Sequence, residues 1–175
     1  EKSVPLGYEA VDAVASATPL VRMAAGETTP SLLQMFLGVK GSCAMGEVSA
    51  AALLLGGIYL VVRRVIKPIT PLVFIGTVFL FSGALGMDPM AQILSGGLML
   101  GAIFMATDYA TTPTTNWGKV VFGLGCGIIT VLIRRYGNYP EGVSFAILLM
   151  NILTPQIDKA FVHKPFGGKK VAKHA

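Results

Sequence analysis

Apolar residues along this chain gather in blocks, at about residues 44–62, 69–86, 91–107, 119–133 and 142–155, joined by short polar or proline-bearing stretches. A straight helix needs about 20 residues to cross about 30 Å of hydrocarbon. The later blocks fall short of that. They are also rich in glycine and interrupted by proline, which predicts broken or re-entrant helices. Non-helical backbone at membrane depth is tolerated only against protein or a cavity, so such breaks are good places to bind a ligand. The pattern predicts an all-α polytopic membrane protein in three parts. Residues 1–43 form a segment outside the membrane, 44–159 a helical region of about five spans, and 160–175 a basic tail.

Composition supports this picture. Hydrophobic residues make up 53% of the chain and charged residues 13%, against about a quarter charged in a usual soluble domain. The mixed-polarity residues before the first block do not resemble a secretory signal, so insertion relies on the spans themselves. The net charge of +5 comes without a basic stripe interleaved with aromatics, which argues against nucleic acid. Lys164, Lys169, Lys170 and Lys173 instead mark a cytoplasmic tail. If the chain ends in the cytoplasm after five crossings, the joint with Arg63, Arg64 and Lys67, the joint with Lys119, and the tail with the adjoining Lys159 lie inside. Together they hold nine of the fourteen lysines and arginines, as the positive-inside tendency requires. Lys2, Arg22, Lys40, Arg134 and Arg135 then lie outside, and the Arg134-Arg135 pair runs against the rule.

Cys43 and Cys126 are the only two cysteines, too few for a thiolate zinc site, an iron–sulfur cluster or a disulfide framework. His163 and His174 have no metal-ligand spacing. The absence of an opening Met predicts a C-terminal or partial piece of a longer subunit.

Candidate chemistry lies at the ends of the blocks. The run Asp12-Ala13-Val14-Ala15-Ser16-Ala17-Thr18-Pro19-Leu20 offers the hydroxyl of Thr18 among small neighbours, with Pro19 biasing Thr18 toward extended backbone. Ser42, Gly46, Glu47 and Ser49 lie at the start of the first block, where a helix cap and a functional carboxylate are both open readings. Asp108 follows the apolar run 98–106 and precedes Thr111, Thr112, Thr114 and Thr115. Such oxygens either ligate a hard cation such as sodium or satisfy the amides of a re-entrant loop. Asp88-Pro89 predicts a turn, and Asp158 beside Lys159 an interfacial ion pair.

Ala15-Ser16-Ala17-Thr18, Gly41-Ser42 with Gly46-Glu47-Val48-Ser49, Met105-Ala106-Thr107-Asp108 and Asn138-Tyr139-Pro140-Glu141-Gly142 occur in the order seen in the RnfD/NqrB family. The chain resembles that family, nearer its RnfD branch, over about residues 8–159. The family's attachment pattern reads Ser/Thr-Gly-Ala-Thr, so two positions differ here, and Tyr109 replaces the expected proline after Asp108.

The resemblance implies the second half of a urea-transporter-like inverted-repeat fold. It implies FMN joined to Thr18 by a phosphoester, with Ser16 and Ala17 beside it, on the extracytoplasmic side of a bacterial inner or plasma membrane. Ser42, Gly46 and Glu47 would face the flavin region, Thr111 and Thr112 would hydrogen-bond a flavin ring, and noncovalent riboflavin is a second expected cofactor. Asp108 and Glu47 are the ion-path candidates. The implied partners are the A, B, C, E and G subunits of the Rnf complex, membrane lipid, and Na+ or H+. The implied function is electron transfer across the membrane in ferredoxin:NAD oxidoreduction coupled to ion translocation. A non-redox channel or solute carrier of the same architecture, or a scaffolding subunit, remain alternatives on the residues alone.

Overall fold

The computed structural model describes residues 32–37, 49–137 and 141–161, and these are helical with no strand among them. The helices are α1 (Leu32–Leu37), α2 (Ala50–Val62), α3 (Ile69–Ala84), α4 (Pro89–Leu94), α5 (Leu98–Leu100, continued by a π-helical turn over Gly101–Met105), α6 (Asn116–Tyr136) and α7 (Val143–Ala160). The five apolar blocks therefore correspond to α2, α3, the broken α4–α5 unit, α6 and α7. Thr18, Ser16, Ala17, Ser42, Gly46, Glu47, Cys43 and the tail beyond residue 161 lie outside the described residues.

Local chemistry sets the boundaries. Ser49 caps α2, its Oγ accepting from the Ala52 amide at 3.3 Å. Asp88 caps α4 by accepting from Met90 N at 3.2 Å, with Pro89 in the first helical position, where its missing N–H costs nothing. Thr115 caps α6 through Gly118 N at 3.0 Å. Thus α6 begins at Asn116 and Lys119 sits in its first turn, on a helix and not in the joint expected for it. The last helix continues through Pro155 to Ala160, beyond the block that ended there.

One helix among the described residues, α6, is long and apolar enough to cross a membrane. At 1.5 Å per residue, the exposed Trp117 and Tyr136 near its two ends lie about 28 Å apart along the axis. That is close to the hydrocarbon thickness, and such rings favour membrane interfaces. Many large apolar side chains face outward, including Leu55 at 69%, Val62 at 72%, Leu72 at 67%, Leu80 at 73% and Ile152 at 67% exposure. Such a surface would aggregate in water, whereas in lipid it is at home.

The core lies between α3, α5, α6 and α7, built from Phe74, Val78, Leu98, Ala102, Phe122, Cys126, Val131, Val143 and Ile147. Its tightest seam joins α3 to α6. A Cβ on Gly123 would stand 3.1 Å from Val73 Cβ, and one on Gly127 only 2.6 Å from Thr77 Cβ. This Gly-x-x-x-Gly spacing lets the two backbones approach, which is how helices associate where no hydrophobic force distinguishes protein from lipid. Thr77, Thr130 and Thr154 return their hydroxyls to the carbonyls of Val73, Cys126 and Met150 one turn earlier.

Candidate functional site

The third block breaks at Ser95-Gly96-Gly97. Gly96 and Gly97 both take left-handed backbone, with φ of 65° and 66°, which a side chain would resist. Two consecutive residues of this kind redirect the chain between α4 and α5. The break exposes the carbonyl end of α4, and Arg134, in the last turn of α6, closes it. Its Nη1 donates to Gln92 O at 2.6 Å and Gln92 Oε1 at 3.1 Å, and its Nη2 to Ser95 O at 3.1 Å and Gly96 O at 3.2 Å. Nε donates to Glu141 O at 3.4 Å. A planar fork meets converging carbonyls in a way that an ammonium cannot, and the cation also suits the negative end of a helix.

This arrangement accounts for the charge that ran against the loop pattern. Arg134 is not a loop cation; it is half-buried and ties α4, α6 and the start of α7 together. Sequence reasoning marked the residue only as an exception, and that exception was the signal.

Beyond the break, a π-helical turn closes with Ala106 N donating to Gly101 O at 2.7 Å, and Thr107 donates to Ile103 O at 2.6 Å. Irregular turns of this kind are frequent at functional sites. Gly101 is required there, because a Cβ would collide with Val143 Cγ1. Ala50, Leu53, Ile93, Leu94 and residues 96–100 line a small pocket beside the break.

The Asp108 loop lies at the opposite end of the bundle. Tyr109 donates its hydroxyl to Val65 O, Lys67 Nζ donates to Asn116 Oδ1 at 3.0 Å, and Thr114 donates to Asp158. These bonds gather residues 63–67, 107–119 and the end of α7 together, while Arg134 gathers the break and the start of α7 at the other end. The Lys67 end carries Arg63, Arg64, Lys67, Lys119 and Lys159 against Asp108 and Asp158 among the described residues. The Arg134 end balances Arg134 and Arg135 with Asp88 and Glu141.

The threonines near Asp108 have separate tasks. Thr111 Oγ1 donates to Asp108 Oδ2 at 3.2 Å, and Thr112 donates to the Asp108 carbonyl. Thr114 gives its amide and hydroxyl to Asp158 Oδ1 at 3.1 and 3.3 Å, and Thr115 caps α6. Local turn-making is what these hydroxyls do here. Asp108 is exposed, and Thr111 and Thr112 retain only oxygen lone pairs to offer a ligand. No cluster of three or more metal-ligating His, Cys, Asp or Glu occurs among the described residues. The ion pair expected between Asp158 and Lys159 is replaced by the bonds from Thr114, because Asp158 points across to the loop. Asp88 makes the turn expected of it.

Comparison with known proteins places the chain. The model of the NQR2, RnfD, RnfE family matches residues 3–167. The chain belongs to this family. The D subunit of the Na(+)-translocating ferredoxin:NAD(+) oxidoreductase complex of Acetobacterium woodii is 46% identical over 168 residues, covering 94% of this chain and 52% of the relative. The D subunit of the proton-translocating ferredoxin:NAD(+) oxidoreductase complex of Clostridium ljungdahlii is 41% identical over 182 residues, covering 94% of this chain and 55% of the relative. The D subunit of the ion-translocating oxidoreductase complex of Stutzerimonas stutzeri is 41% identical over 148 residues, covering 78% and 40%. This chain spans about half the length of the curated relatives it matches. Family membership, the apolar α6 and the outward-facing apolar side chains agree on a membrane protein.

Proposed function

We propose that this chain is part of the flavin-carrying membrane subunit of an Rnf complex. In this reading it passes electrons across the membrane during ferredoxin:NAD oxidoreduction, coupled to translocation of Na+ or H+, alongside the A, B, C, E and G subunits of that complex. The observation that carries the reading is the match, over 94% of the chain, to relatives named as the D subunit of such complexes. Those two relatives are named for different ions, so relatedness alone does not choose between sodium and protons.

FMN joined to Thr18 would supply the redox chemistry, and the protein its position and electrostatics. The Thr18 hydroxyl, flanked by small residues, is suited to a phosphoester. Riboflavin is a second expected cofactor. The surplus of cations at the Lys67 end supports a cytoplasmic position for that end, with the Arg134 end extracytoplasmic.

Peptide mass spectrometry on protein matured in its own host tests the reading. It should find one FMN at Thr18, an addition of ~438 Da, and Thr18→Val should lack it along with the flavin fluorescence. Unmodified Thr18 in natively matured protein would overturn the assignment of the covalent carrier.

A further inference from the structure

We propose that α7 is hinged at the turn from Asn151 to Pro155, and that the segment beyond the hinge moves the Asp108 loop with it. Several features weaken the helix at this one turn. Pro155 has no N–H to offer the Asn151 carbonyl, and its ring crowds that oxygen. Thr154 Oγ1 donates to Met150 O at 3.1 Å, a back-bond of the kind that bends helices. Asn151 Oδ1 is buried and meets no donor among the described residues, so this oxygen does not tie the turn to its surroundings. A missing ladder bond, a back-bonded hydroxyl and an unmet acceptor thus coincide. Sharp bends in helices have causes of this sort.

The two sides of the turn are held differently. On the near side α7 buries Val143, Ala146, Ile147 and Met150. Val143 and Ile147 pack on Gly101 of the π-helical turn, and Met150 packs on Gly125 of α6. Beyond Thr154 no residue of α7 is buried. Among the contacts of residues 155–160, Ile157 lies on Gly118, and Asp158 accepts from the amide and hydroxyl of Thr114. A helix packed firmly on one side of a weak turn and lightly on the other bends at that turn, because few apolar contacts oppose the motion of its far side. The bend reaches the loop through Asp158. Thr114 follows Asp158, and Thr111 and Thr112 of the same loop are bonded back to Asp108.

Hydrogen exchange on the intact complex in lipid nanodiscs tests the hinge. In the wild type, residues 156–160 should exchange at least about tenfold faster than residues 146–150. Pro155→Ala supplies the missing donor with a residue that favours helix, so its unfolding temperature should be no lower than that of the wild type. It should slow exchange at residues 156–160 roughly tenfold, slow the hydrogen-bonded amides of Thr112 and Thr114 as well, and leave residues 146–150 unchanged. In Pro155→Ala/Asp158→Ala the slowing at residues 156–160 should persist without slowing in the loop. The hinge is overturned if the wild type protects both sides of the turn equally, or if Pro155→Ala exchanges like the wild type. Slowing at residues 156–160 that never reaches the loop overturns the coupling through Asp158. None of these readouts depends on flavin attachment.

Discussion

Replacing Arg134 with lysine keeps the charge and removes the fork. The guanidinium serves four main-chain oxygens, those of Gln92, Ser95, Gly96 and Glu141, and the side-chain oxygen of Gln92. Ser95 and Gly96 are buried, and Gln92 is 8% exposed, so water cannot fully replace a lost donor. An ammonium has three N–H groups in a tetrahedral arrangement and reaches about two of these oxygens at once. Leaving two buried acceptors without donors costs about 1–3 kcal/mol each, so an overall loss of about 2–4 kcal/mol is expected once some water entry is allowed. For a chain of this size that corresponds to a fall in Tm of roughly 4–16 °C. Arg135→Lys is the control, since Arg135 is exposed, and it should stay within about 0.5 kcal/mol of the wild type. Thermal unfolding of the purified complex in detergent measures both, and hydrogen exchange at residues 95–98 localises the effect. If Arg134→Lys melts with the wild type and leaves exchange at the break unchanged, the break does not depend on the fork and the reasoning fails.

Other expectations follow from the same contacts. Gly127→Ala should destabilise the α3–α6 seam by about 1–3 kcal/mol, because its Cβ would meet Thr77 at 2.6 Å and the Phe74 carbonyl oxygen at 3.3 Å. Gly76→Ala meets nothing within 4 Å and should raise stability by up to about 1 kcal/mol; the two shifts in Tm should have opposite signs. Asp88→Ala removes the acceptor for the Met90 and Ala91 amides and should cost about 1 kcal/mol, whereas Asp88→Asn should keep most of that stability. Thr114→Val frees Asp158 from its hydroxyl donor but retains the amide bond, so it should loosen the joint between loop and α7 and raise local exchange without unfolding the bundle.

Much of the architecture was legible in the chain because apolar blocks and cap residues act locally. Ser49, Asp88-Pro89 and Thr115 stop or start helices through bonds to amides two or three residues away, so reading neighbours suffices. The expectation of short or broken helices met its physical basis in Gly96 and Gly97, where the lack of a side chain permits left-handed backbone. Family membership was also readable, since motifs spread over most of the length survive without any structure. The second-half inverted-repeat arrangement and the attachment at Thr18 remain readings from resemblance.

Tertiary structure decided what the polar residues do. A carboxylate followed by four threonines does not say what each hydroxyl meets, and the structure gives those partners: Thr111 and Thr112 turn back to Asp108, Thr114 reaches Asp158, and Thr115 caps α6. Asp158 beside Lys159 suggested a pair, yet its oxygens meet Thr114, 44 residues away in sequence. Arg134 looked misplaced in a loop because its acceptors belong to residues 92–96, which no local pattern connects to α6. Hydrophobicity and capping are properties of a short stretch of chain and can be read from it. A hydrogen bond between distant residues exists only after packing has chosen their separation, and in this protein that choice sets the partners of Arg134, Asp158 and the Asp108 loop.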